Sequence, residues 1–504
     1  MLSPPVTKSG LGKDPIMPQL KREEWFDLGR KLDWTPEYVS REDLFPEFAT
    51  DASALPAEVW EEWDEPYKVS YREYVDIQRQ KDEGLYGVKT AVGRSRYIEG
   101  ADPRWRAIVK EHYGVVALAE YFAGLSEAKL ARFAPSAAWR TVATLGMLDE
   151  IRHGQLQLFF PHSYVRQDEQ FDWAHKMFHT NEWGAIAARS LFSDLFLAGT
   201  AVDAAIAETF VFETAFTNLQ FLGMASDALK AGDVEFSSLL QSIQTDEARH
   251  SQQGAAVIEV LRKHDPDHAQ YIVDKSVWRT WKVFALLTGM GMDYYMPIEH
   301  RRHSFKEFME DMILDQFSKY MLDAGMQLPW YWDQLIDEVD NFHHSMHLGS
   351  WTYRPTLWWD PAAGVSPEER EWLASKYPTW ERNWGRKWDV ITANARAGRE
   401  DLTLPSTLPV TCNLCHLPMT VWSDEAAPLR LVRRGGRTYR FCSDPCQWIF
   451  EQEPEKYLGH EALADRFVTG QIQPPDLNGA LGYMGITPEI AGKDALDYAW
   501  ARGA

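Results

Sequence analysis

Two nearly identical pentapeptides, "DEIRH" at Asp149–His153 and "DEARH" at Asp246–His250, constrain this chain more than any other feature. Each lies in a segment with helical apolar periodicity. Residues three apart share a helix face, so Glu150 and His153 point one way, as do Glu247 and His250. One Glu-x-x-His is commonly a solvated face. Two, on two apolar helices, form a pattern. Each is preceded by a lone acid in a greasy helical turn: Glu120 in "HYGVVALAEYFAG" and Glu213 in "AETFVFETAF". A buried charge is costly unless it is paired or bound to metal.

Glu followed by Glu-x-x-His, written twice, is the ligand set of a two-metal carboxylate centre in a four-helix bundle. The ligands are Glu120, Glu150, His153, Glu213, Glu247 and His250. Four carboxylates balance two divalent ions, so the centre can sit in a dry core. Oxygen-rich ligation with two imidazoles suits iron or manganese better than zinc. The plain alternative, ion pairing with Arg152 and Arg249, leaves four acids and two histidines against two arginines. A ligating His usually donates its second N–H to a carboxylate. Asp149 and Asp246 are placed for that, each serving the other half's His, with Arg152 and Arg249 holding the aspartates in turn.

The fold class is therefore mainly α: a ferritin-like four-helix bundle within a larger helical domain. Helices are expected over Asp102–Phe133, Trp139–Leu158 (stopped by "FPHS"), Asp172–Ala198, Ala201–Met224, Asp233–Lys263, Lys275–Tyr295 and Ser304–Ala324. Trp25 to about Glu83 reads as short helices and loops. From Tyr353 Trp/Pro-rich segments follow, and from about Leu404 a small β unit with "RGGR" as its hairpin turn and a helix over Asp444–Glu451. The expected units are an arm over 1–20, the helical domain over 21–403, a cysteine module over 404–460, and a tail over 461–504 packing on the helical domain.

The four cysteines fall in two close pairs, Cys412/Cys415 and Cys442/Cys446. Without a secretory signal this reads as a four-thiolate structural zinc site before a disulfide framework. The formal charge of −22 argues against nucleic-acid binding. No stretch is long and apolar enough for a membrane span. A cytoplasmic protein is expected.

At the metal-ligand residues the chain resembles the hydroxylase α subunit of bacterial multicomponent monooxygenases, most like the four-component toluene, alkene and isoprene enzymes. The likeness runs through "WTPEYV", "DEPYKVSYREYV", "GMLDEIRHGQLQLFFPH", "FETAFTNLQFLG", "SIQTDEARHSQQG", "MDYY", "SFKEFM", "PWYWD" and "DRFVTGQIQP". The cysteine segment resembles the YHS/TRASH metal-binding module.

The resemblance implies a non-haem di-iron centre on those six ligands. It implies insertion of one atom of dioxygen into an aromatic hydrocarbon or alkene, with the other atom leaving as water. Electrons would come from NADH through a reductase and a Rieske [2Fe–2S] ferredoxin. β and γ subunits in an (αβγ)₂ assembly and a small effector protein are implied as partners. The alternatives are a desaturase- or ribonucleotide-reductase-like oxidase, whose extended motifs differ, and a non-enzymatic iron-binding protein, which would be far shorter.

Thr217 lies one turn after Glu213, and the "FETxFTN" motif gives it a part in oxygen activation or proton transfer. Asn218 and Gln244 stand in the same motifs as gating candidates. Helical spacing nominates Val116 and Ala123 for the substrate pocket. The resemblance adds Ala119, Gln157, Phe192, Phe212 and Phe221. Glu208 departs from the family pattern: it puts an acid at a pocket position that is apolar or uncharged in relatives, and so puts simple toluene in doubt. Whether the natural substrate is aromatic, an alkene or something more polar is not encoded in these motifs.

Overall fold

A computed structural model describes residue 23 and residues 55–64, 66–92, 95–168, 171, 181, 183–353, 365–399, 410–419, 429–475, 479 and 482–483. The expected N-terminal arm lies outside them, as does much of 461–504. So do residues 172–180 of the helix expected over Asp172–Ala198.

Helix α1 spans Tyr71–Val92, a 22-residue helix where the sequence suggested only short pieces. Its buried face carries Tyr74, Gln78 and Leu85, so apolar periodicity under-reports it. Helix α2, Pro103–Phe133, starts on an Asp102 cap whose carboxylate accepts from the Arg104 N–H, with Pro103 at its first position. Helix α3, Ala137–His162, is capped by Ser136 and packs along α2. It runs four residues beyond the expected stop. Pro161 sits in its last turn, where a missing N–H removes one terminal bond and breaks nothing upstream.

Helix α4 covers Trp183–Phe192 and widens into a π segment, Ser193–Leu197. Helix α5, residues 201–230, opens on a Thr200/Asp203 capping box. Its middle, Ile206–Thr217, is a π-helix, and Asn218–Lys230 returns to α geometry. Helix α6, Val234–His264, is capped by Asp233 and ends in Arg262, Lys263 and His264, which suit a helix C-terminus. Gly254 makes room between α5 and α6: a Cβ there would lie 2.6 Å from the Phe210 nitrogen.

Asp265 closes α6 and caps α7, Pro266–Phe284. Helix α7 thus begins nine residues before the expected Lys275, because Pro266 at the first position starts a helix and does not break one. It continues through π segments Ala285–Gly289 and Gly291–Tyr295. Helix α8 covers residues 305–323, α9 Trp332–Val339 and α10 Phe342–Tyr353. Asp293 pins these to α11, Pro367–Lys376, and its flank. It accepts from the Phe305 N–H at 3.0 Å and the Tyr377 hydroxyl at 2.6 Å, and contacts His343 Nε2 at 2.7 Å. Asp293, His343 and His344 lie within metal-sharing distance. Those hydrogen bonds already occupy both Asp293 oxygens, so the trio reads as a polar pin.

The C-terminal module is a β-hairpin, β1 Arg430–Arg434 and β2 Arg437–Phe441, followed by α12, Asp444–Gln452. Gly435 and Gly436 both have positive φ, as the tight two-residue turn requires. The tail's described start packs on this module, since Asp465 meets Asn413, Arg437 and Arg440. Tyr483 reaches the helical domain, accepting from Asn181 at 3.0 Å.

The module docks on α4 and α7 around Asp194. This buried acid lies 3.0 Å from Lys275, 3.5 Å from Arg279 and 2.5 Å from Lys456, and accepts from Tyr457 at 2.8 Å. Burial opposes its charge, but the three cations outweigh that and hold its carboxyl well below the usual range.

Candidate metal centre

Four helices bring the six expected ligands together: Glu120 from α2, Glu150 and His153 from α3, Glu213 from α5, Glu247 and His250 from α6. All six are buried. They form two quartets, Glu120/Glu150/His153/Glu247 and Glu150/Glu213/Glu247/His250, each compact enough for one ion. Glu150 and Glu247 belong to both. The simple picture in which each pentapeptide serves one ion therefore gives way to a shared one. Glu150 Oε1 lies 2.9 Å from His250 Nδ1 and 3.5 Å from His153 Nδ1, so it stands between the halves. Glu247 Oε1 lies 3.2 Å from His153 Nδ1, and Glu213 Oε1 3.5 Å from His250 Nδ1.

The donor atoms themselves test whether metal fits. Both oxygens of Glu150 and of Glu213, one each of Glu120 and Glu247, and Nδ1 of both histidines are buried without a hydrogen-bond partner. Native proteins rarely leave buried polar atoms so. Ligands about 2.1 Å from a common ion sit about 3.0 to 3.4 Å apart, close to the 2.9 to 3.7 Å between the histidine nitrogens and carboxylate oxygens here. The acid/imidazole set fits two divalent ions.

The opposite ring nitrogens are occupied, and the pairing crosses. His153 Nε2 meets Asp246 at 3.2 Å, and His250 Nε2 meets Asp149 at 3.0 Å. This fixes both rings with Nδ1 turned to the cluster. Arg249 pairs with Asp149, and Arg152 lies 3.3 Å from Asp246. Helix α1 completes the layer with residues the sequence reading missed. Tyr74 donates to Asp149 at 2.9 Å, Gln78 donates to Asp149 and Asp246, and Lys81 reaches Asp246 at 2.6 Å. Their spacing, three or four residues apart, was the available signal, but a polar stripe looks like a solvated face.

Without metal the cluster repels itself. Burial, then Glu247, pushes Glu150 and Glu213 well above the carboxylate range, and burial pushes Glu247 up to about 7. Burial disfavours charge on His153, but Glu150 and Asp246 outweigh it and raise its pKa. Burial and then Arg249 keep that of His250 low. Asp149→Asn is expected to weaken metal binding about 10- to 100-fold by freeing the His250 ring. Iron titration of the variant, followed by metal analysis, measures this.

Beside the cluster is a cavity of about 60 Å³, walled by Val116, Ala119, Ala123, Phe192, Phe212, Phe221 and also Val115, Phe216, Val283, Phe284 and Leu287. The α7 residues in this wall arrive by packing alone and carry no local signature. Thr217 and Glu208 face the same space. The Thr217 hydroxyl also lies 3.3 Å from the Phe212 carbonyl. Gln157 is not on the wall, contrary to expectation. It is buried against His112, 3.3 Å from Nε2, because its helix turns that face away from the cavity. Gln244 donates to Asn218 at 3.3 Å, and neither lines the cavity.

Glu208 and Glu213 are five residues apart, which splays them on an α-helix. The π-helical turn brings residues five apart onto one side. Burial, then the neighbouring Glu127, pushes the Glu208 carboxyl well above its usual range, which favours its protonated form over the charge the sequence suggested. Glu127 is likewise raised by burial, to about 8, and accepts from Gln253 at 2.6 Å.

The four cysteine sulfurs also converge, three of the residues buried and Cys442 partly so. Cys442 Sγ lies 3.6 Å from Cys446 Sγ and 3.9 Å from Cys415 Sγ. The Trp278 N–H of α7 donates to Cys446 at 3.2 Å.

A family model described as methane/phenol/alkene hydroxylase matches residues 34–265, and one described as YHS domain matches residues 424–461. The oxygenase component subunit alpha of the alkene monooxygenase system of Xanthobacter autotrophicus is 46% identical over 487 residues, 96% of this chain and 98% of that one. The chain belongs to the methane/phenol/alkene hydroxylase family. Within it, the oxygenase component of phenol 2-monooxygenase from Pseudomonas sp. (strain CF600) is 27% identical, covering 87% of this chain and 85% of its own. The crystal structure of xenon-pressurized phenol hydroxylase from Pseudomonas sp. OX1 superposes with a TM-score of 0.83 at 25% identity, covering 96% of this chain and 100% of that one. The YHS match takes in Cys442 and Cys446. Cys412 and Cys415 join them in space, where Asn413 and Arg440 exchange backbone and side-chain bonds. Among the described residues no helix is long and apolar enough to cross a membrane.

Proposed function

We propose that this chain is the oxygenase α subunit of a multicomponent monooxygenase, holding two iron ions and adding one oxygen atom to a small alkene or aromatic hydrocarbon. The observation that carries the reading is the pair of metal-ready quartets sharing Glu150 and Glu247 beside an apolar cavity. Glu120 and His153 would complete one ion's ligands, and Glu213 and His250 the other's. The 46% identical relative, an alkene monooxygenase component by name, favours small alkenes as substrates.

Iron bound there would supply the electrons that divide dioxygen between product and water. The chain's own residues do the rest. The Phe192, Phe212, Phe216 and Phe221 wall excludes water and holds a hydrocarbon by burial alone. Thr217, whose hydroxyl rests near its own backbone, can turn into the cavity to hold or pass a proton. Asn218 and Gln244, bonded to one another, stand as a gate candidate one layer out. The crossed aspartates keep each His in one tautomer.

Two electrons per turnover would come from NADH through a reductase and a Rieske ferredoxin. β and γ subunits, as (αβγ)₂, and an effector would complete a cytoplasmic system. The test is reconstitution with those partners. Product should form from propene, isoprene, benzene or toluene with one NADH and one dioxygen consumed per product. Iron loading without substrate-dependent oxygen uptake would reject the reading.

The four cysteines are proposed to hold one structural zinc, whose double negative charge as a tetrathiolate suits nearby Lys282 and Arg279 of α7. Cys446→Ser is expected to release that zinc and lower the melting temperature while iron stays bound. Purified protein with iron but no zinc would count against the assignment.

A further inference from the structure

The cavity wall is apolar except where it meets the metal ligands, Thr217, Gln220 and Glu208. Glu208 is the odd member. It is fully buried; the buried Ser126 hydroxyl lies near enough to favour its charge, but neither carboxyl oxygen has a partner in full hydrogen-bond geometry. No described cation forms an ion pair with it. The nearby amine of Lys129 is directed to the carbonyls of Leu197 and Gly199. A buried acid left this way costs stability, where an apolar side chain would simply close the wall.

The surroundings are built to keep it. The π turn rotates Glu208 onto the cavity side. Glu127 stands behind it, held by Gln253, in space that exists because residue 146 is glycine. A Cβ at Gly146 would lie 2.8 Å from the Glu127 carboxyl carbon.

We propose that Glu208 is a polar subsite that holds the hydroxyl of a short unsaturated alcohol, so that the cavity accepts oxygen-bearing alkenes as well as hydrocarbons. A hydroxyl both donates and accepts, so it satisfies a carboxyl group in either protonation state. The small volume limits the ligand to a few heavy atoms beyond the hydroxyl. The inference deepens the monooxygenase reading and rests on it, for turnover but not for binding.

Allyl alcohol and but-1-ene have the same number of heavy atoms and differ in the one polar group. The assembled complex should be compared as parent, Glu208→Leu and Glu208→Gln, with iron content checked in each. Binding is read by saturation-transfer NMR and turnover by KM and kcat. Glu208→Leu should weaken allyl alcohol binding and raise its KM about tenfold, the scale of one hydrogen bond to a site built for it. Its but-1-ene KM should stay level or fall. Glu208→Gln, whose amide can donate and accept, should keep most of the preference.

An unchanged ratio of the two ligands in Glu208→Leu overturns the subsite. So does an equal fall in kcat for both, which would assign Glu208 to the reaction and not to the substrate. Iron-loaded parent that binds the alcohol through Glu208 yet oxidises neither compound would leave the subsite standing and reject the monooxygenase reading.

Discussion

Glu247→Ala is expected to empty the whole metal centre, taking iron from two ions per chain to none and oxygenation to background. Glu247 belongs to both quartets, so its loss removes a ligand from each ion and half of the shared acid pair. Substituting Glu120 or Glu213 touches one quartet and should leave a partly loaded protein. Metal analysis after anaerobic loading separates the two outcomes. A Glu247→Ala protein that keeps both ions would show that the shared position is not a ligand.

The same centre should bind metal in competition with protons. Glu247 is pushed up to about 7 by burial, and burial pushes Glu150 and Glu213 well above the carboxylate range. A buried acid raised above its ordinary 4.5 stabilises the metal-free fold at low pH, and that contribution is lost as pH rises through the folded value. Bound metal replaces those protons. The gain in melting temperature on adding ferrous iron should therefore be large at about pH 7.5 and small at about pH 5.5. A gain independent of pH would contradict the protonated state of the empty centre.

Asp194→Ala is expected to cost about 3–5 kcal/mol of stability, because it strands Arg279 as a buried cation and takes one of two acids from Lys275. Lys275 retains Glu453 at 2.6 Å, while Arg279 loses its acid partner. The damage should fall on the docking of the cysteine module, with earlier zinc release and a lower denaturation midpoint. Asp194→Asn should show most of it, since shape is kept and charge is lost. A midpoint within experimental error of the parent would reject the account.

Much of the centre was legible because its signals are local. Glu-x-x-His on one face, a lone acid in a greasy turn and an aspartate beside each His all follow from helical spacing. The crossed pairing of Asp149 with His250 and Asp246 with His153 followed from the chemistry of a ligating imidazole. Where reading failed, the cause was also physical. Tyr74, Gln78 and Lys81 look like a solvated stripe until α6 and α3 cover them. Gln157 shared a motif with the ligands but turned to His112, since neighbours in sequence fan around a helix. Val283, Phe284 and Leu287 reach the cavity from a helix with no metal-site motif.

The sequence by itself determined which acids and histidines are candidate ligands, the helical class and the two close cysteine pairs, because each depends on composition and on spacing within one segment. Tertiary structure alone decided that Glu150 and Glu247 are shared by both halves, and that Glu208 faces the cavity from a buried position. Sharing depends on the distances between four packed helices. The orientation of Glu208 depends on a π turn held by close contact at Gly254. The upward push on its carboxyl depends on how completely its neighbours exclude water.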